Sequence, residues 1–324
     1  MKYRLLGKTG VKVSQLCFGT MSFGGDADEA TSAAMFKRCR DAGINFFDCA
    51  NVYQRGRAEE ILGKLMAGCR NDLVITTKVH GAMSGDLNAK GNTRRNILRE
   101  VEASLKRLGT DRIDVYFIHQ VDPDTPLEET LGALDDLVAQ GKVLYPALSN
   151  HPAWMIAKAL GISALKGWAR PEVLQPMYNL VKRQAEVEIL PLAQAEQLGV
   201  ITYSPLGGGL LTGKYGVGRR PEQGRIISNP MYASRYGAEY VYQVADDFAA
   251  FAKNRGYHPV SLAVAWVGSH PGVTAPIIGA RNLDQLEPSL KSVEIAMTAE
   301  LRAEVAALSP APAPATDRSE EQAK

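Results

Sequence analysis

Eight short apolar runs, each followed by a helix-like stretch, predict that this 324-residue chain closes into a (β/α)8 barrel, the TIM-barrel class of α/β fold. Three observations carry that expectation. Regular strand–helix alternation implies a parallel sheet, because parallel neighbours need crossover helices. The runs are apolar nearly throughout, as strands covered on both faces must be. The rival, an open doubly wound sheet, often carries Gly-x-Gly-x-x-Gly after its first strand. Here the corresponding run reads GTMSFGG.

Each element follows in order. Residues 3–14, YRLLGKTGVKVS, read as a hairpin with a Lys-Thr-Gly turn, placed to close the bottom of the barrel. LCFG (16–19) is the first barrel strand, followed by a helix over 28–41. INFF (44–47) leads to a helix over 58–66. LVITTKV (73–79) leads to a helix over 92–108, where Ile97, Val101, Leu105 and Leu108 recur near the helical period. IDVYFI (113–118) precedes a helix over 127–139, VLYPAL (143–148) one over 152–165, and EVLQPM (172–177) one over 188–198. VITY (200–203) runs into an insertion and then helices over 239–255 and 259–268. APIIG (275–279) and a helix over 283–290 complete the eighth unit. A single barrel domain is therefore expected over 1–308. The stretch 309–324, SPAPAPATDRSEEQAK, is Pro/Ala-rich and then polar, and is expected to be a disordered tail.

Composition narrows the function class. With 45% hydrophobic and 22% charged residues the chain reads as an ordinary globular protein. The 37 basic and 35 acidic residues leave a net charge of +2, too balanced to point to nucleic acid or an anionic membrane surface as partner. Cys17, Cys39, Cys49 and Cys69 form no Cys-x-x-Cys and are read as free thiols. MKYRLLGKTG has no apolar h-region, and no apolar run approaches the roughly 18 residues of a membrane span. The expectation is a soluble, cytoplasmic protein.

In a barrel of this class the site lies at the C-terminal ends of the strands. The polar residues where the apolar runs stop are Asp48, Lys78, His119, Ser149 with Asn150, Gln175, and Tyr203 with Ser204; Tyr53 lies in the loop after the second strand. Taken singly, a strand-end lysine reads as a solvated rim residue and a histidine as a bonded structural one. An acid, a base, an imidazole and a phenol converging on one ring read as chemistry. A carboxylate ending a buried strand needs a counter-charge, and Lys78 on the neighbouring strand can supply it. Lys78 is then expected to lower the Tyr53 pKa from about 10, making Tyr53 a general acid. His119 can hydrogen-bond a carbonyl oxygen. Together they would protonate that oxygen while a hydride reaches the carbon.

Seven stretches then carry a specific likeness: INFFDCANVYQRGRAEEILGK (44–64), VITTK (74–78), DVYFIHQVDPDTPLEETLGALDDLVAQGKV (114–143), LSN (148–150), QPMYNLVKR (175–183), YSPLGGGLLTGKY (203–215) and IIGARNLDQLE (277–287). From about residue 3 to 307 the chain resembles the aldo-keto reductase superfamily. The resemblance implies a (β/α)8 barrel, NADP(H) bound extended without a Rossmann domain, and reduction of aldehydes or ketones by hydride from the nicotinamide. It puts the catalytic tetrad on Asp48, Tyr53, Lys78 and His119, with Tyr53 the proton donor. It also implies that Ser149, Asn150 and Gln175 hold the carboxamide and that Tyr203 stacks on the nicotinamide ring. Ser204, Leu206, Gly209 and Lys214 would cover the pyrophosphate. Gly279, Ala280, Arg281 and Gln285 would surround the adenosine 2′-phosphate, where a guanidinium favours NADP(H) over NAD(H). Departures from the family pattern are Pro288-Ser289 in place of Glu-Asn near the adenine, Ala147 for glycine, and Cys49 and Asn51 for threonine and aspartate.

Rival chemistries have weaker support. GGLLTGKY (208–215) nearly spells a P-loop, but Tyr215 stands where a magnesium-binding Ser or Thr is needed. The five histidines show no His-x3-His or His-Glu-x-x-His spacing, so no metal site is expected. The competing reading is an NADPH-binding redox-sensing or regulatory subunit with slow turnover. A small-molecule carbonyl partner is expected, and relatives occur both as monomers and as homo-oligomers. Met21, Phe23, His80 and Val121 are expected to line the substrate pocket. The insertion 216–238, with Arg219, Arg220, Tyr232 and Tyr236, is expected to fold over cofactor or substrate. Its aromatics suit aromatic or medium aliphatic carbonyls, and its arginines a phosphorylated or sugar carbonyl. Trp154 and Trp168 read as packing residues.

Overall fold

The structure, a computed structural model, describes residues 1–318. Two short strands, β1 (Tyr3–Leu5) and β2 (Lys12–Ser14), pair antiparallel. Eight strands then form a closed parallel barrel: β3 (Cys17–Gly19), β4 (Phe46–Asp48), β5 (Val74–Val79), β6 (Ile113–Ile118), β7 (Val143–Ser149), β8 (Val173–Gln175), β9 (Gly199–Thr202) and β10 (Ala275–Ile278). Closure is made where β10 pairs with both β9 and β3, Ala275 opposite Ile201 and Ile278 opposite Phe18. The expected (β/α)8 barrel and its N-terminal hairpin are both present.

Strand alternation builds two cores. Cys17, Phe46, Val74, Val115, Phe117, Ala147, Val173, Ile201, Ala275 and Ile277 pack together inside the barrel. Their chain neighbours Phe18, Phe47, Ile75, Tyr116, Leu148, Leu174, Val200 and Ile278 face the helices. Leu6 and Val13, both fully buried, join the inner group, so the hairpin seals the N-terminal end.

The helices begin where side chains cap them. Asp28 accepts from the Thr31 amide ahead of Glu29–Asp41, Thr93 from Asn96 ahead of Arg94–Leu108, and Asn282 from Gln285 ahead of Leu283–Leu290. Two predicted strands shorten. Ile44 and Asn45 fall outside β4, because the Asn45 side chain is bonded to the hairpin at Ser14 and Lys12. β8 stops at Gln175, and beyond Pro176 only an isolated bridge between Met177 and Tyr203 continues the pairing.

The insertion folds into two short helices, Arg225–Ser228 and Pro230–Arg235. No helix among the described residues is long and apolar enough to cross a membrane. The Ser309 carbonyl accepts from Arg183, and residues 310–312 run beside Tyr240. Of the predicted tail, residues 319–324 lie outside the described residues.

Candidate active site

The period of two that fills the barrel with apolar residues also delivers the site. Asp48 follows Phe46 by two residues, His119 follows Phe117, Ser149 follows Ala147, Gln175 follows Val173, Tyr203 follows Ile201 and Gly279 follows Ile277. Lys78 follows Val74 by four. Each therefore continues the inward stripe of its strand at the C-terminal end, where apolar gives way to polar.

Asp48 and Lys78 form the centre. Lys78 Nζ lies 2.7 Å from both carboxylate oxygens of Asp48 and 2.6 Å from the Cys49 carbonyl. Asp48 Oδ1 also accepts from Thr76 Oγ1 at 2.6 Å and from Gln175 Nε2 at 2.9 Å. The side chains are almost fully excluded from water, 0% exposed for Lys78 and 3% for Asp48. Burial is the largest single influence and would drive the ammonium to give up its proton, but the Asp48 charge, the Tyr53 phenol and the hydrogen bond to Asp48 together outweigh it and raise the Lys78 pKa. Thr76 was not among the predicted residues, although it sits two residues before Lys78 on the same face of β5 and opposite Asp48 in register.

Tyr53 is carried by a strained turn. Gln54 and Arg55 both adopt positive φ, 48° and 55°, conformations costly for residues with a β-carbon. Gly56 follows at φ 95°, and a β-carbon there would lie 2.7 Å from Arg107 Cδ. The turn is fixed from beneath: the Asn51 amide donates to the Lys78 carbonyl, and Asn51 Nδ2 to buried Glu100 at 3.0 Å. Buried Glu59 joins Arg107 at 2.6 Å to Thr77 at 2.5 Å. Sequence reading missed this network, whose charged members Glu59, Glu100 and Arg107 lie on two helices behind the barrel.

The turn leaves the Tyr53 hydroxyl 3.4 Å from Lys78 Nζ, with the His119 ring edge-on at 6.2 Å between centroids. The expected fall in the Tyr53 pKa is corrected by the structure. Burial raises it, Lys78 only partly opposes that, and the hydroxyl is pushed up to about 12. Tyr53 thus stays protonated at neutral pH. Burial and the nearby Lys78 charge lower His119 to about 3, so its imidazole is neutral with one N–H to donate.

Ser149, Asn150, Gln175 and Tyr203 meet beside this centre. Ser149 Oγ donates to the Gln175 carbonyl at 2.9 Å, and Asn150 Nδ2 to the His119 carbonyl at 2.9 Å. Tyr203 donates to Asn150 Oδ1 at 2.7 Å. Gln175 Nε2 is spent on Asp48, while its Oε1 has no protein partner among the described residues. A cavity of about 390 Å³ lies on the helix side of β7 and β8, lined by Leu148, Leu174, Ile156 and Ile189 with Asn150, Gln175 and Tyr203 at its edge, and none of Asp48, Tyr53, Lys78 and His119 lines it.

A second group lies beyond. Ser204 and the Gly207–Gly208–Gly209 run all have positive φ. At Gly209, φ 99°, a β-carbon would come within 3.4 Å of Lys214 Cε. Lys214 is lowered by burial and by the neighbouring Arg281 and Arg225 charges. Neither Lys214 nor Arg225 has an acidic partner among the described residues, and Arg281 is paired only with Asp26. Three clustered cations with one carboxylate fit a phosphorylated cofactor. Gln285 Oε1 accepts the Arg281 amide at 3.2 Å, and the Ala280 carbonyl accepts from Ser22 at 2.7 Å. Leu206 is half-buried against the core, and Gly279 is exposed at the mouth. Ser289, at one family departure, is buried with its hydroxyl unpartnered.

The predicted substrate residues divide. Met21, His80 and Val121 are half-buried at the rim, with His80 Nδ1 2.9 Å from Asn92 Oδ1. Phe23 is corrected: it is fully buried, 5.8 Å from the Phe18 ring in the barrel–helix layer, and presents no surface to a pocket. The insertion's aromatics are not a mouth lining either. Tyr236 is fully buried with its hydroxyl 3.3 Å from Ser204 Oγ, and Tyr232 stacks on it. Arg219 is paired with Asp246 and Arg220 stacks on Tyr242, so both are already engaged. The insertion therefore clamps the loop bearing Ser204. Trp168 packs on the core, but Trp154 is exposed.

Comparison with known proteins agrees with this geometry. The family model described as "Aldo/keto reductase family" matches residues 15–310. An uncharacterized oxidoreductase of Bacillus subtilis is 38% identical over 315 residues, covering 93% of this chain and 94% of its own. A probable voltage-gated potassium channel subunit beta of Arabidopsis thaliana is 37% identical over 302 residues, with 91% and 92% covered. A norsolorinic acid reductase of Aspergillus flavus is 32% identical over 314 residues, with 92% and 78% covered. With an inward-facing acid, lysine, histidine and phenol at the mouth of a closed parallel barrel, and a family match over nearly its whole length, the chain belongs to the aldo/keto reductase family.

Proposed function

We propose that the chain is a cytoplasmic NADP(H)-dependent reductase of aldehydes or ketones, with Tyr53 as proton donor. The observation that carries this reading is the contact of Lys78 Nζ with both Asp48 oxygens and, at 3.4 Å, with the Tyr53 hydroxyl, beside a neutral His119. Ser149, Asn150 and Gln175 would hold the carboxamide and Tyr203 the ring face. Ser204, Leu206, Gly209 and Lys214 would cover the pyrophosphate, and Gly279, Ala280, Arg281 and Gln285 the 2′-phosphate. The bound nicotinamide would supply hydride to the carbonyl carbon. His119 would donate its N–H to the carbonyl oxygen and orient it. Tyr53 would then give its proton to that oxygen, a transfer that is downhill because an alkoxide is a far stronger base than even this phenolate. Lys78 would steady the phenolate left behind, and Asp48 keeps Lys78 charged.

Two expectations follow from the charges. Tyr53 at about 12 and His119 at about 3 leave both neutral from pH 5 to 9. The pH profile of kcat/KM for reduction should be flat there, falling only as pH rises towards the Tyr53 value. Alcohol oxidation needs the phenolate and should climb with pH over the same range. An inflection near pH 6.5 in the reductive direction would contradict the His119 assignment. Separately, Arg281→Ala should raise KM for NADPH about 10- to 100-fold, the worth of a charge-assisted contact, and leave that for NADH nearly unchanged. An equal loss with both cofactors would remove Arg281 from the 2′-phosphate.

The direct test is the fall in NADPH absorbance on adding an activated aromatic aldehyde to the pure protein. A second reading draws on the relatives named as potassium channel subunits beta: a redox-sensing or regulatory subunit. Tight NADPH binding with turnover too slow for metabolism would favour it.

A further inference from the structure

Arg281 does not wait empty-handed. Its Nε lies 2.9 Å from Asp26 Oδ2, and both side chains are partly exposed. Asp26 sits in the loop after β3 and Arg281 in the loop after β10, strands that pair in the barrel. We propose that Asp26 is an internal competitor for Arg281 and so sets how strongly the site prefers a 2′-phosphorylated nicotinamide cofactor over an unphosphorylated one. This rests on the NADP(H) reading above.

The ion pair is not what joins the two loops. Ser22 Oγ donates to the Ala280 carbonyl at 2.7 Å in a buried, uncharged contact that holds them without Asp26. The Arg281 backbone is fixed independently, its amide bonded to Gln285 Oε1. Only the guanidinium therefore has a choice of partner. Lys214 and Arg225 complete the positive cluster and have no carboxylate of their own among the described residues, so Asp26 is the acid paired with it. An arriving phosphate must either displace Asp26 from Arg281 or sit beside a like charge, and each costs affinity that an unphosphorylated cofactor would not lose. The pair is exposed, and exposed pairs are weak, so the expected effect is a few-fold and not orders of magnitude.

The test is calorimetric titration of wild type, Asp26→Asn, Arg281→Ala and the double variant with NADP⁺ and NAD⁺, which differ only in the 2′-phosphate. Asp26→Asn should bind NADP⁺ about two- to fivefold tighter, with NAD⁺ unchanged. In the Arg281→Ala background the gain from Asp26→Asn should shrink, because only the like-charge part of the cost is left to relieve. Weaker NADP⁺ binding by Asp26→Asn would make Asp26 an orienting partner and overturn the proposal. Unchanged binding, or an equal gain with both cofactors, would overturn it as well while leaving the cofactor reading intact. Failure of every form, wild type included, to bind either cofactor would remove the cofactor reading and this inference together.

Discussion

Tyr53→Phe is expected to lower carbonyl reduction by about a thousandfold while leaving NADPH affinity and the unfolding midpoint close to wild type. The magnitude is that of removing a positioned general acid. The substitution deletes one oxygen and keeps the ring, so the edge-on contact with His119 survives. The lost contact to Lys78 is long, 3.4 Å, and the ammonium keeps Asp48 and the Cys49 carbonyl. Little stability should therefore go with the hydroxyl. The check pairs single-turnover reduction of an aromatic aldehyde with an NADPH titration of the same preparation. Wild-type turnover in the variant would end the assignment of Tyr53 as donor.

Lys78→Met should do more damage, and of a different kind. It leaves the Asp48 carboxylate buried with only Thr76 and Gln175 to answer it. Breaking a buried pair by removing one partner typically costs about 3–5 kcal/mol, because the remaining charge has lost its partner but not its burial. The variant should unfold at markedly lower urea concentration and be inactive. Lys78→Met combined with Asp48→Asn removes both charges together. It should recover much of the stability without recovering activity. Urea unfolding of wild type, the single variant and the double variant separates the two roles. A single variant as stable as wild type would show that the pair is not desolvated as the structure has it.

The barrel was legible in the sequence because its determinant is local. Apolar runs separated by helix-period stretches report a buried parallel sheet, and the residue at which a run turns polar marks its open end. Asp48, Lys78 and His119 were found that way, and alternation explains why they point inward together. Tyr53 was found only because it lies five residues after Asp48; nothing in its local pattern required two left-handed residues behind it. Thr76 was hidden because a threonine inside an apolar strand looks like a β-former. Phe23 was misjudged because a loop residue has no period from which to read its facing. The bond between Gln175 and Asp48 spans 127 residues, and no window of sequence contains it.

By itself, then, the sequence determined the fold class, the order of elements and the identity of the polar ring, since these depend on periodicity and on which residue ends each strand. The tertiary structure alone decided the charge states and the partners. Whether Lys78 lowers the Tyr53 pKa or burial raises it is a contest between a through-space charge and the exclusion of water. Whether Arg281 is free or held by Asp26 depends on two loops meeting from opposite ends of the chain. Such quantities are set by distance and dielectric between residues remote in sequence, and only a closed barrel brings those residues within reach of one another.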